Sequence, residues 1–183
     1  MNIIKLIDED KYILEQKLKG HNNDVYNVIE IRENELISVS YDKTIKKWEI
    51  KKENKFECTK TITFQNSNSC CNILKINENE FVTSSYDDKC LKFWNSNDYS
   101  NIATIKNIEV EWTFRSLCII KDYILCEGGR NSKGFYIIII STHQLIKNIL
   151  GPKAIYSIFV YLDGLLLCSI INENDNHSLI KYK

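Results

Sequence analysis

Short apolar runs punctuated by acidic and amide-rich turns set the rhythm of this chain. Leu36–Val39, Phe81–Thr83, Leu117–Ile120, Tyr123–Cys126 and Phe135–Ile140 are rich in Ile, Val, Tyr and Phe, and clusters such as RENE, NENE and ENDN stand between runs. That is the pattern of β-strands bounded by turns. Phe135–Ile140 is apolar throughout rather than alternating, as expected of a strand covered on both faces. No stretch carries a sustained helical stripe. The expected class is all-β. One proline and six glycines are few for so many turns, so Asn and Asp are expected to supply the left-handed positions.

The runs recur in a fixed order. NENELISVSYDKTIKKWEI, whose NEL begins at Asn34, and NENEFVTSSYDDKCLKFWN both read polar turn, apolar strand, acidic turn, apolar strand, tryptophan. The spacing from Ser38 to Trp48 equals that from Ser84 to Trp94, and Asp42 to Trp48 equals Asp88 to Trp94. This is an internal repeat. Weaker copies follow. Ala154–Ile158 repeats the pattern of Asp24–Val28, and Leu179–Tyr182 echoes Thr44–Trp48 with tyrosine in place of tryptophan. Between them, 112–150 offers four strands in which GGRNSKG replaces the tight acidic turn. At the front, Ile3–Asp8 and Tyr12–Leu18 read as the last two strands of a further unit.

Repeats of ~40–45 residues with four strands, a Gly-His near the start and a Trp-acidic pair near the end mark one family of propellers. On Gly20-His21, Ser38, Asp42 and Trp48-Glu49, then Ser84, Asp88 and Trp94, the chain resembles the WD-repeat β-propeller family over nearly all its length. Asn66 stands near the second histidine position, and Leu150-Gly151-Pro152 where a later Gly-His belongs. The resemblance implies a β-propeller of four-stranded antiparallel blades, about four of them, as an open arc or part of a larger ring. The expected units are 19–64, 65–108, 109–149 and 150–183, with 1–18 as a partial blade in a single domain. A four-bladed closed ring is the competing expectation, with Tyr12–Leu18 pairing beside Ser178–Tyr182.

Composition removes several functions. Twenty-four Lys and Arg balance twenty-four Asp and Glu, so the electrostatic footprint of a direct nucleic-acid binder is missing. Met1–Lys11 lacks the apolar stretch of a signal peptide, and Phe135–Ile140, the longest apolar run, is too short to cross a bilayer as a helix. The seven cysteines include no C-x-x-C and are expected as reduced thiols. The expected location is therefore the cytoplasm, with the nucleus as the alternative, and no membrane, metal or cofactor is expected.

His21, Ser38 and Asp42 invite comparison with a hydrolase triad. A catalytic serine needs an exposed, strained turn with oxyanion donors beside it, and Ser38 lies within an apolar run instead. The family resemblance implies a structural role: His21, Ser38, Asp42 and Trp48 as one buried hydrogen-bonded network, with Ser84, Asp88 and Trp94 as its partial copy. His143 and His177 lie in turns, and no phosphate loop or paired carboxylates stand out. An enzyme is not expected.

The resemblance further implies that inner-strand starts and the residues before the turn aspartates meet partners. Those positions are Asp24, Tyr26 and Tyr41, then Asp87, then Trp112, Phe114 and Arg115, and finally Tyr156. Tyr, Trp and Arg dominate protein interfaces because they bury much area at low entropic cost. The expected function is a non-catalytic protein-protein interaction scaffold or adaptor. The alternative is an RNP or nucleic-acid-associated factor acting through protein partners, with a propeller enzyme behind both. Apolar residues at both ends also lead to an expectation of self-association through the end blades.

Overall fold

The computed structural model describes residues 1–8, 11–64, 70–85, 89–106, 116–127, 133–153, 155–160, 166–171 and 177–182. Of these, 6–8, 12, 70–71, 127, 133–134 and everything from 147 onward are described by backbone alone.

The first complete sheet is an antiparallel meander of β3 (Val25–Arg32), β4 (Glu35–Ser40), β5 (Thr44–Ile50) and β6 (Phe56–Thr63). Its tight turns need the left-handed backbone region. Asn34 (φ 63°) supplies it between β3 and β4, and Lys43 (φ 68°) between β4 and β5. Asn does this at little cost, whereas Lys43 is held there by its N–H bond to the Ser40 carbonyl at 3.2 Å. The meander repeats as β7 (Cys70–Asn77), β8 (Glu80–Ser85), β9 (Leu91–Asn95) and β10 (Asn101–Ile105). A third copy comprises β11 (Leu117–Ile120), β12 (Tyr123–Glu127), β13 (Lys133–Ile139) and β14 (Gln144–Lys153). The last sheet has three strands, β15 (Ile155–Val160), β16 (Leu166–Ile171) and β17 (His177–Tyr182). At the front, β1 (Asn2–Asp8) and β2 (Lys11–Lys17) form a two-stranded hairpin.

The sheets pack face to face in chain order, with β7 against β3 and β4, and β15 against β11 and β12. The core therefore lies in the seams between sheets. Ile31, Ile37, Val39 and Ile45 of the first sheet close on Ile73, Phe81, Trp94 and Tyr99 of the second. Val82, Leu91 and Phe93 then close on Leu117, Ile124, Tyr136 and Ile138 of the third. Each large side chain buried in this way stabilises the stack by ~1.5–3 kcal/mol. The second sheet is covered on one face by the first and on the other by the third, which explains why β8 is buried along nearly its whole length.

This is an all-β, partial propeller of antiparallel blades. Its ends are not joined: β2 pairs with β1 and β17 with β16, so the pairing of Tyr12–Leu18 beside Ser178–Tyr182 is not made. A repeated irregularity marks the inner strands. The ladder slips between Val25 and Asn27 in β3, between Cys70 and Asn72 in β7, and between Ile155 and Ser157 in β15. A bulge adds local twist and re-aims side chains. In the first two blades it directs Asn27 to Asn72, Nδ2 to Oδ1 at 2.6 Å, across the seam.

Candidate functional site

The segment between β2 and β3 and the turn between β4 and β5 meet at one end of the first blade. Gly20 lies against the Trp48 indole, where a Cβ would come within 2.9 Å of Cη2. Only glycine lets the backbone approach that closely. The chain then places His21 beside the turn.

There the proton inventory fixes every donor. Asp42 accepts only, so the His21 Nδ1–H donates to its Oδ2 at 2.8 Å. Nε2 is left as the acceptor and receives the Ser38 hydroxyl at 2.7 Å. Ser38 Oγ in turn accepts the Trp48 Nε1–H at 2.8 Å. Asp42 Oδ2 also takes the Asn22 N–H at 2.9 Å, while Oδ1 takes the Thr44 N–H at 3.0 Å and its hydroxyl at 2.6 Å. Tryptophan, serine, histidine and aspartate thus form one chain from the middle of β5 to the connecting loop.

Burial of the imidazole lowers the His21 pKa, against the opposing pull of Asp42, so the ring is neutral. For Asp42, burial is the largest single influence and pushes upward. The hydrogen bonds from Thr44, Asn22 and His21 together outweigh it and hold the carboxyl at about 2. A carboxylate with four donors around it is stabilised in its charged form. Ser38 is wholly buried, and its hydroxyl is committed to histidine on one side and indole on the other. The arrangement locks a loop to a sheet and leaves the oxygen closed to any substrate.

The second blade departs from the sequence reading. Equal spacing points to Ser84 as the counterpart of Ser38, yet Trp94 Nε1–H donates to Thr83 Oγ1, at 2.8 Å. The strand register gives the reason. Trp48 stands opposite Leu36, whereas Trp94 stands opposite Phe81, so the second hairpin holds one more residue in its turn than the first. Counting back from tryptophan by the first blade's interval therefore stops one residue short, at Ser84 instead of Thr83. Ser84 is buried at the next position, and Asp88 lies outside the described residues.

Of the partner positions, three come together. The Tyr41 N–H bonds to the Asp24 carbonyl at 2.9 Å, and the Tyr26 and Tyr41 rings meet edge to face, 6.1 Å apart at 80°. Tyr26 is 50% exposed and Tyr41 48%. Tyr156 lies in β15. Asp87, Trp112, Phe114 and Arg115 lie outside the described residues. Sequence reasoning missed Thr44, which donates twice to Asp42, and the Asn27–Asn72 bridge. Thr44 has a readable signal, since a Thr two residues after a turn aspartate is placed to close an Asx turn.

With this geometry in view, comparison with solved structures shows the same fold. The chain is similar to the WD40 β-propeller domain of Doa1, with a TM-score of 0.72 and 18% identity over 94% of this chain and 57% of that one. It is also similar to a chain of the mitotic checkpoint complex, with a TM-score of 0.74 and 12% identity over 93% and 52%. The computationally designed Ika4 protein matches with a TM-score of 0.69 and 14% identity over 91% and 96%. The fold is that of WD40 propeller blades, and the chain spans little more than half of the Doa1 and checkpoint chains. No protein-family model matches the sequence, and no curated protein does.

Proposed function

We propose that this protein is a non-catalytic scaffold for protein-protein interaction. The observation that carries the reading is the pair of half-exposed aromatic rings Tyr26, in β3, and Tyr41, on the turn that the His21–Asp42 network holds. Rigid aromatic side chains offer contact area at little entropic cost, which is the character of interface hot spots. Asp24, whose carbonyl accepts the Tyr41 N–H, belongs with them, and by the family resemblance Asp87, Trp112, Phe114, Arg115 and Tyr156 are proposed as further contact positions. The similarity to a chain of a multiprotein checkpoint assembly supports an interaction role of this general kind. The sealed environment of Ser38 supports a structural rather than catalytic use of the histidine.

The test is affinity capture with the intact chain and with Tyr26→Ala/Tyr41→Ala. Proteins retained by the first and lost from the second, with melting unchanged, are the expected result. Identical partner sets would remove this surface from the reading, and hydrolytic turnover abolished by Ser38→Ala would replace the reading with an enzyme.

The exposed Ile4, Ile13 and Leu14 of the β1–β2 hairpin favour self-association as a second reading. Light scattering that shows a monomer across a wide concentration range would dismiss it.

A further inference from the structure

The exposed face of β3 has a chemical order of its own. From Asp24 to Glu30 exposure alternates strictly, so Asp24, Tyr26, Val28 and Glu30 face outward while Val25, Asn27 and Ile29 are partly covered. This outward row is acidic at both ends and apolar in the middle, spanning roughly 20 Å at strand rise. Beside its first half stands the Tyr41 ring, edge to face with Tyr26 at 80°, so the two perpendicular rings make a corner. Aromatic faces are electron-rich and attract cations, best where a carboxylate shares the site.

We propose, building on the scaffold reading, that this face binds an extended segment of another protein with cationic residues on either side of an apolar one. One guanidinium or ammonium lies in the Tyr26–Tyr41 corner beside Asp24. The apolar side chain covers Val28, which is 40% exposed, and the second cation meets Glu30. Period-two alternation in the strand matches that of an extended ligand, so alternate side chains of both address one another. The charge order selects against acidic segments, because two carboxylates would then face like charge.

The probe is a capped peptide with two arginines about four positions apart and a valine midway, matching the interval from Tyr26 to Glu30. Its controls carry citrulline or glutamate in place of arginine. Binding is read from the ring resonances of Tyr26 and Tyr41. The arginine peptide should shift both, and the neutral and acidic controls neither. Tyr26→Leu and Tyr41→Leu should each weaken binding about fivefold. Asp24→Asn and Glu30→Gln should weaken it and flatten its dependence on salt. All four side chains are exposed, so the variants keep the fold, and a thermal melt checks it.

Equal binding of the citrulline peptide overturns the proposal, as does an arginine peptide that leaves both tyrosines unmoved. Lys43→Ala removes the cation next in sequence to the corner and should not weaken binding. A loss there means an anionic ligand and also overturns the proposal. If the peptide fails while Tyr26→Leu still strips partners in affinity capture, this inference falls and the scaffold reading stands.

Discussion

Arg32 of the first blade holds Ser96 of the second. Its Nη2 donates to Ser96 Oγ at 2.8 Å and to Asn97 Oδ1 at 2.6 Å, while Nη1 faces Glu35 at 3.3 Å. Ser96 is wholly buried and passes its own proton to the Glu78 carbonyl at 2.6 Å. One guanidinium therefore satisfies a buried hydroxyl and an exposed turn across the seam. Arg32→Ala is expected to destabilise the protein by ~1–3 kcal/mol, read as a lower urea midpoint. Arg32→Lys should recover only part, since an ammonium lacks the planar fork.

Acid should act on the His21–Asp42 network in two stages. His21 has a folded-state pKa below its ordinary 6.5, so the unfolded chain binds the proton first, and stability falls as pH drops through and below 6.5. Asp42 titrates at about 2 instead of 3.8. Its contribution of roughly 2 kcal/mol is complete above 3.8 and fades as pH falls toward 2. Urea melts from pH 8 to pH 2 should show both losses. Asp42→Asn should be weaker at neutral pH and show a smaller lower loss, the remainder coming from Glu49, which its bond to Lys47 also holds at about 2. A wild-type profile that is flat from pH 6.5 down to about pH 4, above the Asp42 window, would show that the imidazole is not desolvated.

Gly20→Ala tests the close approach of loop to indole. Trp48 is pinned by its bond to Ser38 and is 2% exposed, so the ring has little room to yield to a Cβ at 2.9 Å. The expected cost is ~1–3 kcal/mol, with a change in Trp48 fluorescence as the ring is displaced. An unchanged melt would mean that the loop moves aside freely.

Thr83→Val should strand the Trp94 indole N–H in a seam where the ring stacks on Phe81 and meets Phe64 edge-on. A loss of ~1–3 kcal/mol is expected. The loss should shrink when Trp94 is already Phe, because no donor is then left unpaired. A double-mutant cycle with zero coupling would deny the bond.

What the sequence reveals and what it hides follow from physics in each case. The strands are legible because apolar runs between Asn- and Asp-rich turns have one economical solution. The strands of 112–150, for example, emerge as β11, β12, β13 and β14 despite the loss of the acidic turn. The His21 network is legible through the family resemblance carried by Gly20-His21, Ser38, Asp42 and Trp48-Glu49, and its second copy lacks the histidine. Thr83 is not, since a single extra turn residue shifts the register without disturbing the spacing from Ser84 to Trp94. Arg32 is equally hidden. Its partners Ser96 and Asn97 are far along the chain, and only the stacking of blades brings them near.

The first seam is tied at both ends of its strands. Asn27 reaches Asn72 near the start of the inner strands, and Arg32 reaches Ser96 at the opposite end, where Lys60 Nζ also donates to the Asp98 carbonyl at 2.6 Å. A plate pinned at one point swivels, and a plate pinned at two resists torsion. The first two blades therefore turn together as one stiff panel. Tyr26 and Tyr41 ride on that panel, so a force applied to them is delivered to two blades at once.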